Sequence, residues 1–363
     1  YTHCLSASKL SDDSGIVLLG LFKGAFCVIK NYEIAERYAT LADDPTFINL
    51  TDVNYDGRLD VVYEYSKPGG VAFRLQASDG RFDSEELVPY ATDSEKVFAF
   101  EGSQWSFFGG KTSFLERRAV LPDVLSPKVE YFGTEFASGS GVLADIDADG
   151  SQEWIMSDPE TSRLIVWRAL GDSWGLPKSF PSLKGVSALA GTAGGVLLLS
   201  KDEKTIGYSH WEKQSSRMSF PTVVDLPNEP IALLETSKGS YVVEKSEKDF
   251  YLRLISGASA ASSAQKLEGL KRDPEAVLAF RDSARTLIVA LIPRETAQFY
   301  VLESSGSLTP IKVPASLART SLNNLEASSL GFADVDDDKA GELLVANRDS
   351  LRLYKFTGGK IEL

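Results

Sequence analysis

Apolar runs of about four to eight residues, broken by polar turns, recur along the whole chain. Examples are Ile16-Val17-Leu18-Leu19, Val71-Ala72-Phe73-Arg74-Leu75, Leu164-Ile165-Val166-Trp167, Val196-Leu197-Leu198-Leu199 and Leu351-Arg352-Leu353-Tyr354. Between them, Gly, Ser, Asp and Pro punctuate the chain at short intervals. That texture predicts many short strands and little helix. Asn31 to Leu41 and Ala315 to Leu325 come nearest to a helical period, and both read as strand or loop.

Three segments repeat one another: Leu50 to Val62, Leu143 to Ile155 and Phe332 to Leu344. Their first aspartates, Asp52, Asp145 and Asp334, fall near a lattice of about 47 residues, with unmarked places between them. Those places hold a strand, a polar turn and a second strand. Val97-Phe98-Ala99-Phe100 precedes Trp105-Ser106-Phe107-Phe108, Ala188-Leu189-Ala190 precedes Val196 to Leu199, and Ile231 to Leu234 precedes Tyr241-Val242-Val243. Val277 to Phe280 before Leu287-Ile288-Val289 is a further case, and Ser11 to Gly15 leads into Ile16 to Leu19. A third and a weaker fourth strand follow in most units, such as Glu85 to Val88 or Pro310 to Val313. Four antiparallel strands per unit of roughly 40 to 50 residues predict an all-β fold, a β-propeller of eight four-stranded blades. The units run over about 1–44, 45–93, 94–138, 139–183, 184–228, 229–273, 274–321 and 322–363, one propeller domain spanning 1–363. Seven blades is the second count, and a two-domain β-sandwich is the competing architecture. One such sheet alone cannot cover its two faces, so it must stack on neighbours.

Each repeated segment places oxygens at alternate positions. The first offers Asp52, Asn54 and Asp56, a bend at Gly57, the Arg58 carbonyl and then Asp60. The second offers Asp145, Asp147, Asp149, Gly150, the Ser151 carbonyl and Glu153. The third offers Asp334, Asp336, Asp338, the Ala340 carbonyl and Glu342, with Lys339 where glycine is expected. Oxygen-only donors on alternate residues around a glycine bend suit Ca²⁺ better than Mg²⁺, which keeps more of its water. Two to three calcium sites are expected. Without a cation the clustered carboxylates repel, so stability should depend on the ion.

Charge and composition narrow the partners. The formal net charge is −13 without a basic patch, which argues against nucleic acid. No run approaches the roughly 20 apolar residues of a membrane span. Two cysteines, Cys4 and Cys27, and two histidines, His3 and His210, are too few for a structural zinc site. The cysteines fall on the first and third strands of one unit, too far apart to bridge unless one strand frays, and read as free thiols. The chain starts at Tyr1, which suggests a removed leader. Asn49-Leu50-Thr51 matches a glycosylation sequon but abuts a metal loop, and is taken as accidental.

The pattern Asp-x-Asp/Asn-x-Asp-Gly-x-x-Asp/Glu before an apolar strand resembles the FG-GAP or VCBS repeats of integrin α-subunit propellers and bacterial surface proteins. It covers three of the eight units. The resemblance implies that the loop joins the first two strands of a blade and binds Ca²⁺ for rigidity. It further implies an extracellular, cell-surface or periplasmic adhesion module whose protein or glycan partner docks on the opposite face. That face would include Ser66 to Gly70, Asp158 to Ser162 and Asn347 to Asp349, with the connections Ala42 to Pro45 and Ser316 to Arg319 beside it. Trp167, Trp174 and Trp211 could stack on sugars but read as core. Two alternatives stand: a calcium-dependent polysaccharide lyase, in which the ion acidifies a uronate, and a rigid structural subunit of a surface assembly. No nucleophile motif accompanies the histidines.

Overall fold

A computed structural model describes the backbone of residues 5–9, 16–22, 24–30, 33–41, 45–52, 56–65, 70–89, 94–99, 104–109, 113–117, 140–170, 173–236, 238–261, 263–281, 285–335, 338, 340–347, 350–357 and 359–362. Nearly all of the regular structure is antiparallel strand. The sheets are up-and-down meanders in which successive strands pair, except that in the fifth and sixth sheets two short outer strands share the third strand as partner. Their first strands begin at Leu5, Pro45, Ser94, Gly141, Val186, Glu229, Ala276 and Leu330. Seven of these sheets have four or five strands, and the one from Ser94 has three among the described residues. A two-stranded hairpin, Ala169–Leu170 with Ser173–Trp174, interrupts the fourth sheet before its outer strand Lys178–Pro181.

The chain divides into two compact units, Tyr1–Glu135 with Asp282–Ala284 and Val313–Leu363, and Phe136–Arg281 with Arg285–Lys312. Within each, the apolar core lies between successive sheets. In the first unit Phe26 and Val28 of the first sheet pack on Ile48, Val61, Tyr63 and Ala72 of the second. Ile29 of the first sheet packs on Leu344 of the eighth.

The second unit shows why its strands are apolar without alternation. Val196 and Leu198 of strand Gly195–Ser200 face Ile155, Leu164 and Val166 of the fourth sheet. Leu197 and Leu199 face the other way, onto Val242 and Ile255 of the sixth. Tyr241 and Val243 in turn meet Ile288 and Tyr300 of the seventh. A strand covered on both faces must be apolar at every position. Four-stranded meanders stacked face to face in sequence are the β-propeller architecture.

Other sequence expectations fall as follows. Glu33–Ala39 is a strand, but Ala315–Thr320 is a short α-helix rather than strand or loop. Pro314 precedes it with a fixed φ of −58°, which suits a helix start. Cys27, on the third strand of its sheet, is a buried free thiol, and Cys4 lies outside the described residues. Asn49 lies on strand Pro45–Thr51. No described helix is long and apolar enough to cross a membrane.

Candidate metal centre

Each acidic loop joins the first two strands of its sheet. The second connects Gly141–Ala144 to Glu153–Asp158. Asp145 closes it by accepting the N–H groups of Asp149 (3.1 Å) and Gly150 (3.1 Å). Asp149 Oδ1 accepts the Ser151 N–H at 2.8 Å, a bond that holds its carboxyl below the usual range. Gly150 sits at φ +90° and Ala148 at φ +58°, so the turn winds left-handed twice. This winding brings Asp145, Asp147 and Asp149 together, with one oxygen of each within 4.8 Å of the others.

Glu153 lies beneath, fully buried, its Oε2 accepting the Ile146 N–H at 3.1 Å. Its Oε1 and Asp147 Oδ1 are buried without a hydrogen-bond partner. Burial, then the charges of Asp147 and Asp149, push the Glu153 carboxyl up to about 7, against the pull of the Ile146 N–H and Arg168. Converging carboxylates with two buried orphan oxygens are a donor set that a hard cation satisfies, so the residues fit Ca²⁺.

The first loop has the same frame. Asp52 accepts the N–H groups of Asp56 (3.1 Å) and Gly57 (2.8 Å), and Asp56 accepts that of Arg58 (2.9 Å). Gly57 is at φ +83°. Asp60 is buried and accepts the Gln76 N–H at 2.7 Å. Asn54 lies outside the described residues. In the third loop Asp338 accepts the Ala340 N–H at 2.8 Å, and buried Glu342 accepts the Val335 N–H at 2.7 Å. Asp334 stands at the loop's start, whereas Asp336 and Lys339 lie outside the described residues. A glutamate at the ninth position thus reaches back to the second N–H of its own loop. The shorter Asp60 of the first loop accepts the Gln76 N–H, just past the third strand of its sheet. Among the described residues, only the second loop gathers three acids within reach of one ion.

Basic partners of these acids escaped the sequence reading. The residue after the acidic ninth position pairs with Arg74, Trp167 or Tyr354 on the third strand. One step further along stand Leu75, Arg168 and Lys355, beside the loop. Arg168 bonds Asp147 and lies 3.8 Å from Asp149, and Lys355 lies 3.4 Å from Asp338. Where Leu75 occupies this place, Arg58 of the loop itself pairs with Asp56. Strand register was the missing signal, because sequence distance hides it.

A cavity of about 580 Å³ adjoins the second loop. It forms where the first-to-second-strand turns of successive sheets meet, and Asp145, Gln152, Thr192, Glu235, Ser240 and Arg281 supply its polar lining. Small residues, among them Ala148, Gly191 and Gly239, leave the space open. Glu235 is fixed by the Gly191 N–H at 2.5 Å. This cavity lies on the side of the second acidic loop, not opposite it. The opposite turn at Asp158 to Ser162 is closed on itself: Asp158 accepts the Glu160 and Thr161 N–H groups and the Thr161 hydroxyl. Residues 66–69 and 348–349 lie outside the described residues.

Trp167 is core, and Trp211 is buried against Phe180. His210 is an exposed strand residue stacked on Tyr208, its Nδ1 3.1 Å from Ser219 Oγ. Ser219 is buried and also accepts the His210 N–H, so this pair presents no nucleophile to solvent.

No protein-family model matches the sequence, and no curated protein matches it. Solved structures do resemble it. A protein from Lactobacillus plantarum gives a TM-score of 0.49 at 12% identity, over 86% of this chain and 95% of that one. BBS1N, in complex with ARL6DN, gives 0.48 at 10% identity over 100% and 94%. Virginiamycin B lyase from Staphylococcus aureus gives 0.46 at 11% identity over 79% and 91%. At these values no activity, ligand or partner carries over to this chain.

Proposed function

We propose that this chain is a calcium-stabilised β-propeller of the FG-GAP/VCBS repeat type that binds a protein or glycan partner outside the cell. The observation that carries this reading is the convergence of Asp145, Asp147 and Asp149 above buried Glu153. Clustered carboxylates repel one another, a bound cation relieves that repulsion, and oxygen donors alone select a hard one. The repeated N–H pattern at Asp52 and Asp338 supports the same role for the other two loops. The ion would be structural: the loop residues are tied to backbone groups, and no described nucleophile stands beside them. The count of eight blades belongs to this reading, on the ground that the sheets recur as one meander per unit.

The partner's seat in this reading is the cavity beside the second loop, because it is open and carries charged and hydroxyl groups where the opposite Asp158 turn is closed. Its mixed lining of Glu235, Arg281 and hydroxyls suits a polar ligand such as a glycan or a protein loop. Two measurements test the proposal. Isothermal titration with CaCl₂ should show two to three sites, and Asp145→Ala should remove one. Glycan-array and protein pull-downs should give a ligand that is lost in chelator and weakened about tenfold by Arg281→Ala. Titration without calcium uptake would overturn the metal reading, and a ligand indifferent to Arg281→Ala would overturn the seat.

A further inference from the structure

Every carboxylate of the second loop is held by a hydrogen bond, and one is held differently from the rest. Asp145, Asp149 and Glu153 each accept backbone N–H groups of the loop itself. Asp147 is held by a side chain from outside it, the Arg168 guanidinium bonded to Oδ2. That leaves Oδ1 buried and without a partner, on the residue whose neighbours Asp145 and Asp149 converge with it. Arg168 is fixed in its turn. Its guanidinium lies 5.2 Å over the ring of Trp211, a buried residue of the fifth sheet, and its carbonyl accepts the Gly175 N–H at 2.8 Å.

We propose that Arg168, seated on Trp211, is the positioning residue of the second loop, holding Asp147 by one oxygen so that the other is presented to the cation. This rests on the calcium reading above. A guanidinium supplies one positive charge against four carboxylates, too little to replace a divalent ion. It can instead lower the repulsion that opposes the empty loop and fix the Asp147 rotamer before the ion arrives. Partners of this kind behind a metal ligand typically matter by about 10–100-fold in affinity. The recurrence of a basic side chain at the same register place, Lys355 against Asp338, shows that the position reaches such loops by geometry. The consequence is a tie between sheets: ion occupancy of a fourth-sheet loop is coupled to a fifth-sheet tryptophan.

The test is calcium titration of the full chain carrying Asp52→Ala and Asp334→Ala, which leaves the second loop as the site read. Arg168→Met should weaken its affinity about 10–100-fold, and Arg168→Lys should recover part of the loss. Trp211→Leu, which keeps the guanidinium and removes its seat, should weaken it about threefold and serves where Arg168→Met does not fold. Equal or tighter binding by Arg168→Met, or failing that by Trp211→Leu, overturns the proposal while leaving the calcium reading intact. Tighter binding in particular would mark the arginine as a competitor of the ion. No binding by the parent chain overturns both.

Discussion

Glu153 concentrates the electrostatics of the second loop, because burial and the Asp147 and Asp149 charges all oppose its ionisation. With its carboxyl at about 7, well above the ordinary range, the sign for the metal-free chain is fixed. Protonated Glu153 favours the fold at low pH, and that contribution is lost as pH rises through about 7. Melting in chelator should therefore fall between about pH 5 and pH 8, and Glu153→Gln should flatten the fall and raise the pH 8 value by about 2–4 °C. A variant that melts in parallel with the parent would remove Glu153 from this role. Calcium must displace the same proton, so affinity at this loop should decline about tenfold per pH unit below 7. Cys27 makes a second residue-scale case. Burial raises its thiol above the ordinary value, against the smaller pull of Arg37, so a disulfide reagent should leave it unlabelled until the chain unfolds. The acids of the loop were legible from spacing alone. Arg168 was not, because what places it beside Asp147 is the pairing of Trp154 with Trp167 across two strands.

At the scale of elements, the first two loops turn through a left-handed bend. Gly150 at φ +90° has nothing within 4 Å of where a β-carbon would stand, and neither has Gly57 at φ +83°. A methyl group at either place meets backbone strain alone. Gly150→Ala should cost about 1–2 kcal/mol by thermal or urea unfolding, and a neutral result would show that the bend is not required. The third loop has Gly341 instead, where a β-carbon would come within 2.3 Å of the Phe332 ring; packing, not φ, keeps that glycine. Strand positions were readable because both faces of the inner strands are covered. Val196 to Leu199 forms an unbroken apolar run for that reason, with alternate residues serving opposite sheets. The helix Ala315–Thr320 falls in a stretch that comes near a helical period, but six residues complete too few turns to separate it from strand or loop. The hairpin Ala169–Leu170 with Ser173–Trp174 was missed because two-residue strands fall below any alternation a sequence can display.

For the whole molecule, the net charge of −13 and the carboxylates gathered in the loops act in the same direction. Both load the folded chain with self-repulsion that a bound divalent ion relieves where it is densest. The size of the relief follows from mass action. At about 1 mM free calcium and a dissociation constant of about 0.1 mM, each proposed site would add about 1.4 kcal/mol to folding. Two or three such sites would together contribute about 3–4 kcal/mol, a large share of a typical folding free energy of about 5–15 kcal/mol. Melting in chelator should therefore fall by about 5 °C or more relative to 1 mM calcium. Magnesium at the same concentration should restore little of it, since a small octahedral ion holds its water and leaves the buried Asp147 and Glu153 oxygens unmet. Raising NaCl separates the two contributions. Salt screens diffuse surface repulsion over about 10 Å or less, so it should narrow the part of the gap due to net charge and leave the part due to the loops. Calorimetry at low and high salt, each in chelator, magnesium and calcium, reads both. If salt alone closes the whole gap, the loops are ordinary acidic turns and the ion has no structural task.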